Sequence, residues 1–360
     1  MLGQLNTEGD QGPGEIYFLR ERDVISGDVS SYVKIGLVRA ADDRGSEDRL
    51  KEHQTGNPRV LCVHDIVKTF RVSTVEGMMH RKLATKMVLG EWFKLSESEL
   101  VDAITMCKTF ALSTEEHEGR LIQVALLESC ESKAELVDAS EEALNWARIF
   151  IEASAVVSSC KKLSASFTAH TAAARDRGEE TIAIAKVQTR KGAETFDDDG
   201  FKNEFPELLA QFEESKESIS KTFTLSNKKS YDLDIARIHP ELFGLQQRFD
   251  EIAAKVVSEE QAVVGLQDIY LNVLGILTEA NWDKEVAQTH LKLICGDAAG
   301  INGVCSWSRV RKVTLSINKR ALKSTYPDEY AKYVSVGLAK EILVLKKGGG
   351  SAVGDDQESD

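Results

Sequence analysis

The chain has 360 residues, 42% of them hydrophobic, and a formal net charge of -13. That length suits two or three domains with sizeable cores. No run of about eighteen apolar residues occurs, which excludes a membrane-spanning helix. The six cysteines are scattered with no Cys-x-x-Cys pair, which excludes a disulfide framework and a thiolate zinc site.

Residues 1–14 are polar and read as a flexible lead, not a signal peptide, so a cytoplasmic chain with reduced thiols is expected. Two alternating apolar runs follow, Ile16 to Leu19 and Tyr32 to Ile35, flanked by Asp, Gly and Ser. That pattern predicts an antiparallel hairpin. Ser46 to Gln54 predicts a helix, with an N-capping serine and acids in its first turn, stopped by Gly56-Asn57-Pro58. Leu61 to Val67 has the composition of a third strand. Thr74 to Met87 predicts a second helix, with Glu76 and His80 four residues apart on one face.

Beyond residue 95 the pattern becomes helical. Ser113-Thr-Glu-Glu116 reads as a capping box opening a helix to Leu127, and Ser132 to Phe167 carries apolar residues at spacings of three and four. Residues 170–200 break the pattern and read as a linker. Helical spacing resumes over Phe205 to Phe223 and Pro240 to Glu279, lengths that suit a helical hairpin or a coiled-coil spacer able to form a homodimer. Asp283 to Cys295 predicts a short helix closed by Gly296. A β-hairpin over Val304 to Ile317 and a helix from Leu322 end the ordered region.

Charge is unevenly spread along this order. Residues 1–95 hold 14 Lys and Arg against 14 Asp and Glu, and residues 96–298 hold 21 against 37. Residues 299–347 hold 10 against 3, and residues 348–360, an acidic tail expected to be disordered, carry four acids and no base. A net negative protein thus has one basic end, and the distribution keeps a nucleic-acid partner open where the sum argues against it. Arg309, Arg311, Lys312, Lys319, Arg320 and Lys323 around Trp307 are the candidates for tracking a phosphate backbone while an aromatic stacks on a base. A solvated basic face over a packed tryptophan would read the same way.

Taken singly, Tyr17 and Tyr32 are ordinary strand residues, and Arg49 and Glu76 are solvated helix charges. Together with their neighbours they form an order: Ile16-Tyr17, Lys34-Ile35-Gly36, Arg49 with His53 one turn later, then Glu76 and His80, with Gln54-Thr-Gly-Asn-Pro58 and Gly90-Glu-Trp-Phe93 as further boxes. This order resembles the GIY-YIG nuclease superfamily and is most similar to its phage-type branch. The resemblance implies a three-stranded antiparallel sheet with helices over residues 15–95. It implies that Tyr17, as phenol or phenolate, helps activate the attacking water. Lys34, standing where most members have a second tyrosine, would lower the phenol's pKa or contact phosphate. Arg49 would steady the pentacovalent phosphate, with His53 facing the same way. Glu76 would hold a single divalent metal, Mg2+ or Mn2+, as a hard oxygen ligand suits. His80 would contact phosphate or support the metal carboxylate. Glu15 replaces the first glycine of the family pattern, and about ten residues from Glu21 to Ser30 lengthen the hairpin relative to it.

Farther along, Gly296-Asp-Ala-Ala, Gly303-x-Cys-x-Trp307, Leu322-Lys and Pro327-x-x-Tyr330-x-x-Tyr333 resemble the C-terminal segment of phage-type recombination exonucleases. The acidic catalytic core of those enzymes has no counterpart here, so no active residue is carried over. The whole reads as an α+β protein: a nuclease-like domain at 15–95, a helical region at 96–169, the linker, and a helical hairpin with a basic module at 201–347. Its expected function is metal-dependent DNA endonuclease with a helical targeting arm. The alternative is a catalytically silent DNA-binding or scaffolding protein.

Overall fold

A computed structural model describes residues 12–42, 45–55, 57–178, 185–226, 233–254 and 259–345. The expected lead lies outside them up to residue 11, and the acidic tail lies outside entirely. Strand β1 (Gly14–Arg22) runs between β2 (Val29–Arg39) and, after helix α1 (Ser46–Gln54), β3 (Val60–Thr69). Helix α2 (Val72–Lys82) follows, then the short strands β4 (Met87–Leu89) and β5 (Trp92–Lys94). The sheet is antiparallel throughout, in the order β3-β1-β2-β5-β4, so the three expected strands gain two more at the β2 edge.

Alternation along β1 sends neighbouring side chains to opposite faces. Ile16 and Phe18 join Val33, Ile35 and Val67 against α2 and the start of α3 (Glu97–Glu128), through Val75, Met79, Leu100 and Cys107. Tyr17 and Leu19 lie on the other face with Val38, Leu50 of α1, Val63 and Ile66. Because β1 is covered on both faces, it reads as an unbroken apolar run.

Helix α3 is one uninterrupted element, and the Ser113 capping box opens nothing. Ser113 Oγ donates to the Phe110 carbonyl and Thr114 Oγ1 to that of Ala111, so both hydroxyls bond back into the preceding turn. The true N-cap is Ser96, whose side chain accepts from Glu99 N. Helix α4 (Glu141–Asp176) starts at Ser140, nine residues or so later than the apolar spacing suggests. The stretch before it forms single parallel bridges, Lys133 with Ala298 and Val137 with Ile301.

The remaining elements cross the chain repeatedly. Strands β6 (Ala185–Arg190) and β7 (Glu194–Phe196) and helices α5 (Asp198–Glu204) and α6 (Pro206–Gln211) precede the long strand β8 (Glu213–Leu225). Helices α7 (Ile235–Ile238), α8 (Pro240–Ala254) and α9 (Glu259–Cys295) follow. Strands β9 (Gly300–Ile301) and β10 (Cys305–Ile317), helices α10 (Lys319–Thr325) and α11 (Pro327–Ala331), and strands β11 (Val334–Val336) and β12 (Lys340–Leu345) complete the described chain.

Three expectations change here. Residues 213–225 are a strand where helical spacing was read, because hydroxyl-bearing and β-branched residues pair over thirteen positions with β10. The hairpin over Val304 to Ile317 is one continuous strand whose main partner lies far upstream, and only β9 pairs with it locally. Asp283 to Cys295 is the end of α9 and not a separate helix. The apolar stripes of α4, α8 and α9 meet in one core through Leu163, Phe167, Leu245, Phe249, Ile269 and Val273.

The N-terminal sheet is fastened to this helical body. Arg71, just before α2, is 5% exposed and reaches Glu118 of α3 at 2.6 Å and Glu285 of α9 at 2.8 Å. At the other end of α2, Arg81 pairs with Glu241 and Lys82 with Glu279. Between them a Cβ on Gly77 would stand 3.0 Å from Thr278, so α2 and α9 approach closely at that glycine.

Candidate active site

Tyr17 sits on β1, an interior strand of the sheet, beneath α1, with 1% of its surface exposed. Its register partner on β2 is Gly36, where a Cβ would stand 2.4 Å from the phenol oxygen. The glycine gives the ring its space. The hydroxyl lies 3.2 Å from His53 Nε2, one turn along α1 from Arg49. Burial raises the phenol well above its usual value, Glu91 adds to this, and the Arg49 guanidinium pulls the other way. His53 is held below its ordinary value by burial and then by Lys34 and Arg49. When the neutral imidazole carries its proton on Nδ1, Tyr17 donates to Nε2; in the other tautomer Nε2 donates to the phenol oxygen. Arg49 itself pairs with Glu52; burial works against its charge, but Glu52 and Tyr17 more than offset that.

The β2 edge supplies the second half of the cluster. Strand β5 covers β2 only at Tyr32–Lys34, and Ile35 N donates to the Glu91 carbonyl at 3.0 Å. The Ile35 carbonyl, facing the same way, accepts from His80 Nε2 at 2.9 Å. An imidazole on α2 thus continues the ladder where the strand stops. Burial lowers the His80 pKa, which leaves a neutral ring with its proton on Nε2. Glu91 follows Gly90, whose φ of 56° makes the β4–β5 turn, and its carboxylate pairs with Lys34, 8% exposed. Desolvation opposes the Glu91 charge, yet Lys34 holds its carboxyl below the usual range.

Glu76 lies one turn before His80 on α2. Burial, then the charge of Glu91, pushes its carboxyl up to about 8, against Arg39, Lys34 and Arg49. Among the described residues no three His, Cys, Asp or Glu side chains are spaced to hold a metal ion. Glu76 alone still fits a hard divalent cation: its carboxyl is desolvated and kept protonated, so a bound cation would favour its ionised form, and Mg2+ keeps most of its waters when bound by one or two carboxylates.

Tyr17, Lys34, Arg49, His53, Glu76 and His80 therefore lie within one another's hydrogen bonds or fields. A cavity of about 660 Å³ between the sheet and α3, bordered by Glu15, Phe70 and Lys108, contains none of them. Glu91 is the charged neighbour that sequence reasoning passed over. It stands in the Gly90-Glu-Trp-Phe93 box, but its partner Lys34 is 57 residues away, and only the β2–β5 pairing joins them.

The basic candidates near the C-terminus separate. Trp307 is 0% and Arg309 1% exposed, with the guanidinium 4.0 Å above the indole, so neither reaches a base or a phosphate. Their alternation along β10 turns both into the core with Cys305 and Leu291. Arg311 pairs with Glu217 at 2.7 Å, Lys319 with Asp198 at 2.8 Å and Lys323 with Glu194 at 3.9 Å. Lys312 and Arg320 are exposed and have no carboxylate partner among the described residues.

Every side chain of the N-terminal cluster comes from the first five strands and the two helices between them. Residues 14–108 match the T5orf172 domain. This is a phage-associated domain in the context of GIY-YIG and HNH-like nucleases. The T5orf172 match begins at the first residue of β1 and ends inside α3, so it contains the whole cluster and the sheet that positions it. No curated protein and no solved structure matches the chain. Among the described residues no helix is long and apolar enough to cross a membrane.

Proposed function

We propose that the T5orf172 domain is a metal-dependent DNA endonuclease, hydrolysing a phosphodiester with one divalent cation, Mg2+ or Mn2+, while the helical body acts as a targeting arm. The observation that carries this reading is the Tyr17 to His53 hydrogen bond, beside Arg49 and within the field of Glu76. A buried phenol with a raised pKa is a poor base by itself. In the His53 tautomer that leaves Nε2 unprotonated, the phenol donates to it and can take a proton from water as its own passes to His53. The water oxygen bonds to phosphorus, the bond to the leaving sugar oxygen breaks, and that oxygen takes a proton from solvent.

Arg49 presents a fixed fork of donors to the non-bridging oxygens, where charge accumulates in the transition state. Lys34 adds a positive charge next to them, kept in place by Glu91. Glu76 would hold the cation once its proton is displaced, and a bound divalent cation would offset the charge of the phosphorane and leaving group. His80, bonded to the Ile35 carbonyl, anchors α2 to the sheet and so sets where Glu76 stands.

Purified protein should nick or cut plasmid DNA with Mg2+ or Mn2+, and Glu76→Ala or Arg49→Ala should abolish cutting. Salt-sensitive binding with no product under any metal would instead support the silent DNA-binding alternative. Cutting that survives both substitutions would remove the site assignment.

A further inference from the structure

The cations that sequence reasoning selected are mostly buried or matched by local acids, whereas a second set is not. It comes from the stretch that reads as a linker. Residues 185–190 form β6, which pairs antiparallel with β12 over six positions. The ribbon rests on the helical body through Leu343 and Val187. Its register sets Arg190 directly opposite Lys340. Lys186 projects to the same side of the ribbon, and Lys191 follows at the end of β6.

All four side chains are exposed, and none has a carboxylate partner among the described residues. The one acid in the two strands, Glu341, is turned to Arg175 at 2.9 Å. Like charges directly opposite each other destabilise a strand pair, so this register carries a local cost that nothing within the described chain relieves. The ribbon is also held in place: Gly337 N donates to the Ala193 carbonyl at 3.0 Å just beyond it, and β7 and β11 pair next. Four cations on a braced ribbon are a fixed array.

We propose that the β6–β12 ribbon is a nucleic-acid contact surface, with Lys186, Arg190, Lys191 and Lys340 engaging the phosphodiester backbone. Lys186 and Arg190 are about 13 Å apart along the strand, a span that covers several phosphates of one DNA strand at roughly 3.4 Å of helix axis per phosphate. Neither strand offers an exposed aromatic to stack on a base, and Gln188 is the one amide among the four cations, so most of the ribbon's contacts should be to the backbone and its sequence preference slight. The choice of polyanion rests on the endonuclease reading. The juxtaposition of unpaired cations does not.

The test uses the full chain and a fluorescent duplex in EDTA, with anisotropy measured from about 50 to 200 mM salt. Lys186→Gln/Arg190→Gln/Lys340→Gln should weaken binding at least tenfold and reduce the salt slope by close to 2.7, about 0.9 per lost phosphate contact. The charge-conserving Arg190→Lys/Lys340→Arg should keep both near the wild-type values, and the triple variant should melt no lower than wild type because it removes a like-charge pair. An unchanged affinity and slope would overturn the ribbon proposal while leaving the endonuclease reading intact. Wild-type protein that binds no DNA would overturn both, and loss of heparin binding with DNA binding unchanged would reassign the ribbon to another polyanion.

Discussion

Gly36 stands directly across the β1–β2 ladder from Tyr17, and the phenol occupies the volume that any side chain at position 36 would need. The glycine is thus part of the site without touching substrate. Gly36→Ala should displace the ring, break the bond to His53 and cost about 1–3 kcal/mol of stability through overpacking. Cleavage should fall far more than DNA affinity. Wild-type turnover by a well-folded Gly36→Ala protein would show that Tyr17 is a packing residue only.

Glu76 makes stability depend on pH in a defined direction. Its carboxyl is raised from an ordinary 4.5 to about 8, so between those values the folded state keeps a proton that the unfolded chain has released. Stability is therefore fully retained below about pH 4.5, is lost progressively as pH rises, and carries the full penalty above about 8. In EDTA, Glu76→Gln should gain on wild type by a few kcal/mol between pH 5 and pH 8.5. Thermal melts at the two pH values measure it, and parallel curves would disprove a protonated Glu76. Added Mg2+ should stabilise wild type at high pH and leave the variant unmoved.

Glu91 acts on two neighbours at once. Its charge raises Glu76 and pairs with Lys34. Glu91→Gln should shift the acidic limb of the pH–rate profile to lower pH, since Glu76 would lose its proton more easily. It should also weaken the hold on a nearly buried ammonium, with a stability loss of about 1–3 kcal/mol. A limb that does not move would mean that the two carboxylates do not communicate.

Arg71 joins three elements from a position with little solvent access. Removing it strands Glu118 of α3 and Glu285 of α9, the latter also bonded to His117 Nε2 at 3.2 Å. Arg71→Ala should cost about 3–5 kcal/mol in urea denaturation, the range for breaking a buried ion pair from one side. Because Arg71 precedes α2, cleavage should fall as well. A loss no larger than that of Arg148→Ala, an exposed pair with Glu152, would show that the clamp contributes little.

Much of the N-terminal half was legible because its signals are local. The apolar runs placed β1 and β2, and the spacing of Glu76 and His80 put them on one helical face; the Ser46 to Gln54 helix has the expected bounds, but its N-cap is Gly45, and Ser46 Oγ donates to Glu15 at 2.7 Å instead of capping. Elsewhere local signals misled. The hydroxyls at Ser113 and Thr114 look like a helix start, but mid-helix they bond to the turn before them. Residues 213–225 carry apolar spacing compatible with a helix, yet they pair with a strand that begins 80 residues after their own ends. Trp307 and Arg309 look like a binding pair beside basic neighbours, and β10 turns both inward.

The amino-acid order by itself determined the α+β character, the first three strands and their helices, and which phenol, guanidinium and carboxylate belong together. The elements follow from side-chain period within a few residues, and the grouping of the three side chains from the order of motifs that resembles the GIY-YIG superfamily. Only the tertiary structure decided that Gly36 makes room for Tyr17, that His80 completes the β2 edge, that Glu91 faces Lys34, and that a supposed linker pairs with the last strand. Each depends on strand register or helix packing between distant segments, where a shift of one residue would send every side chain to the opposite face.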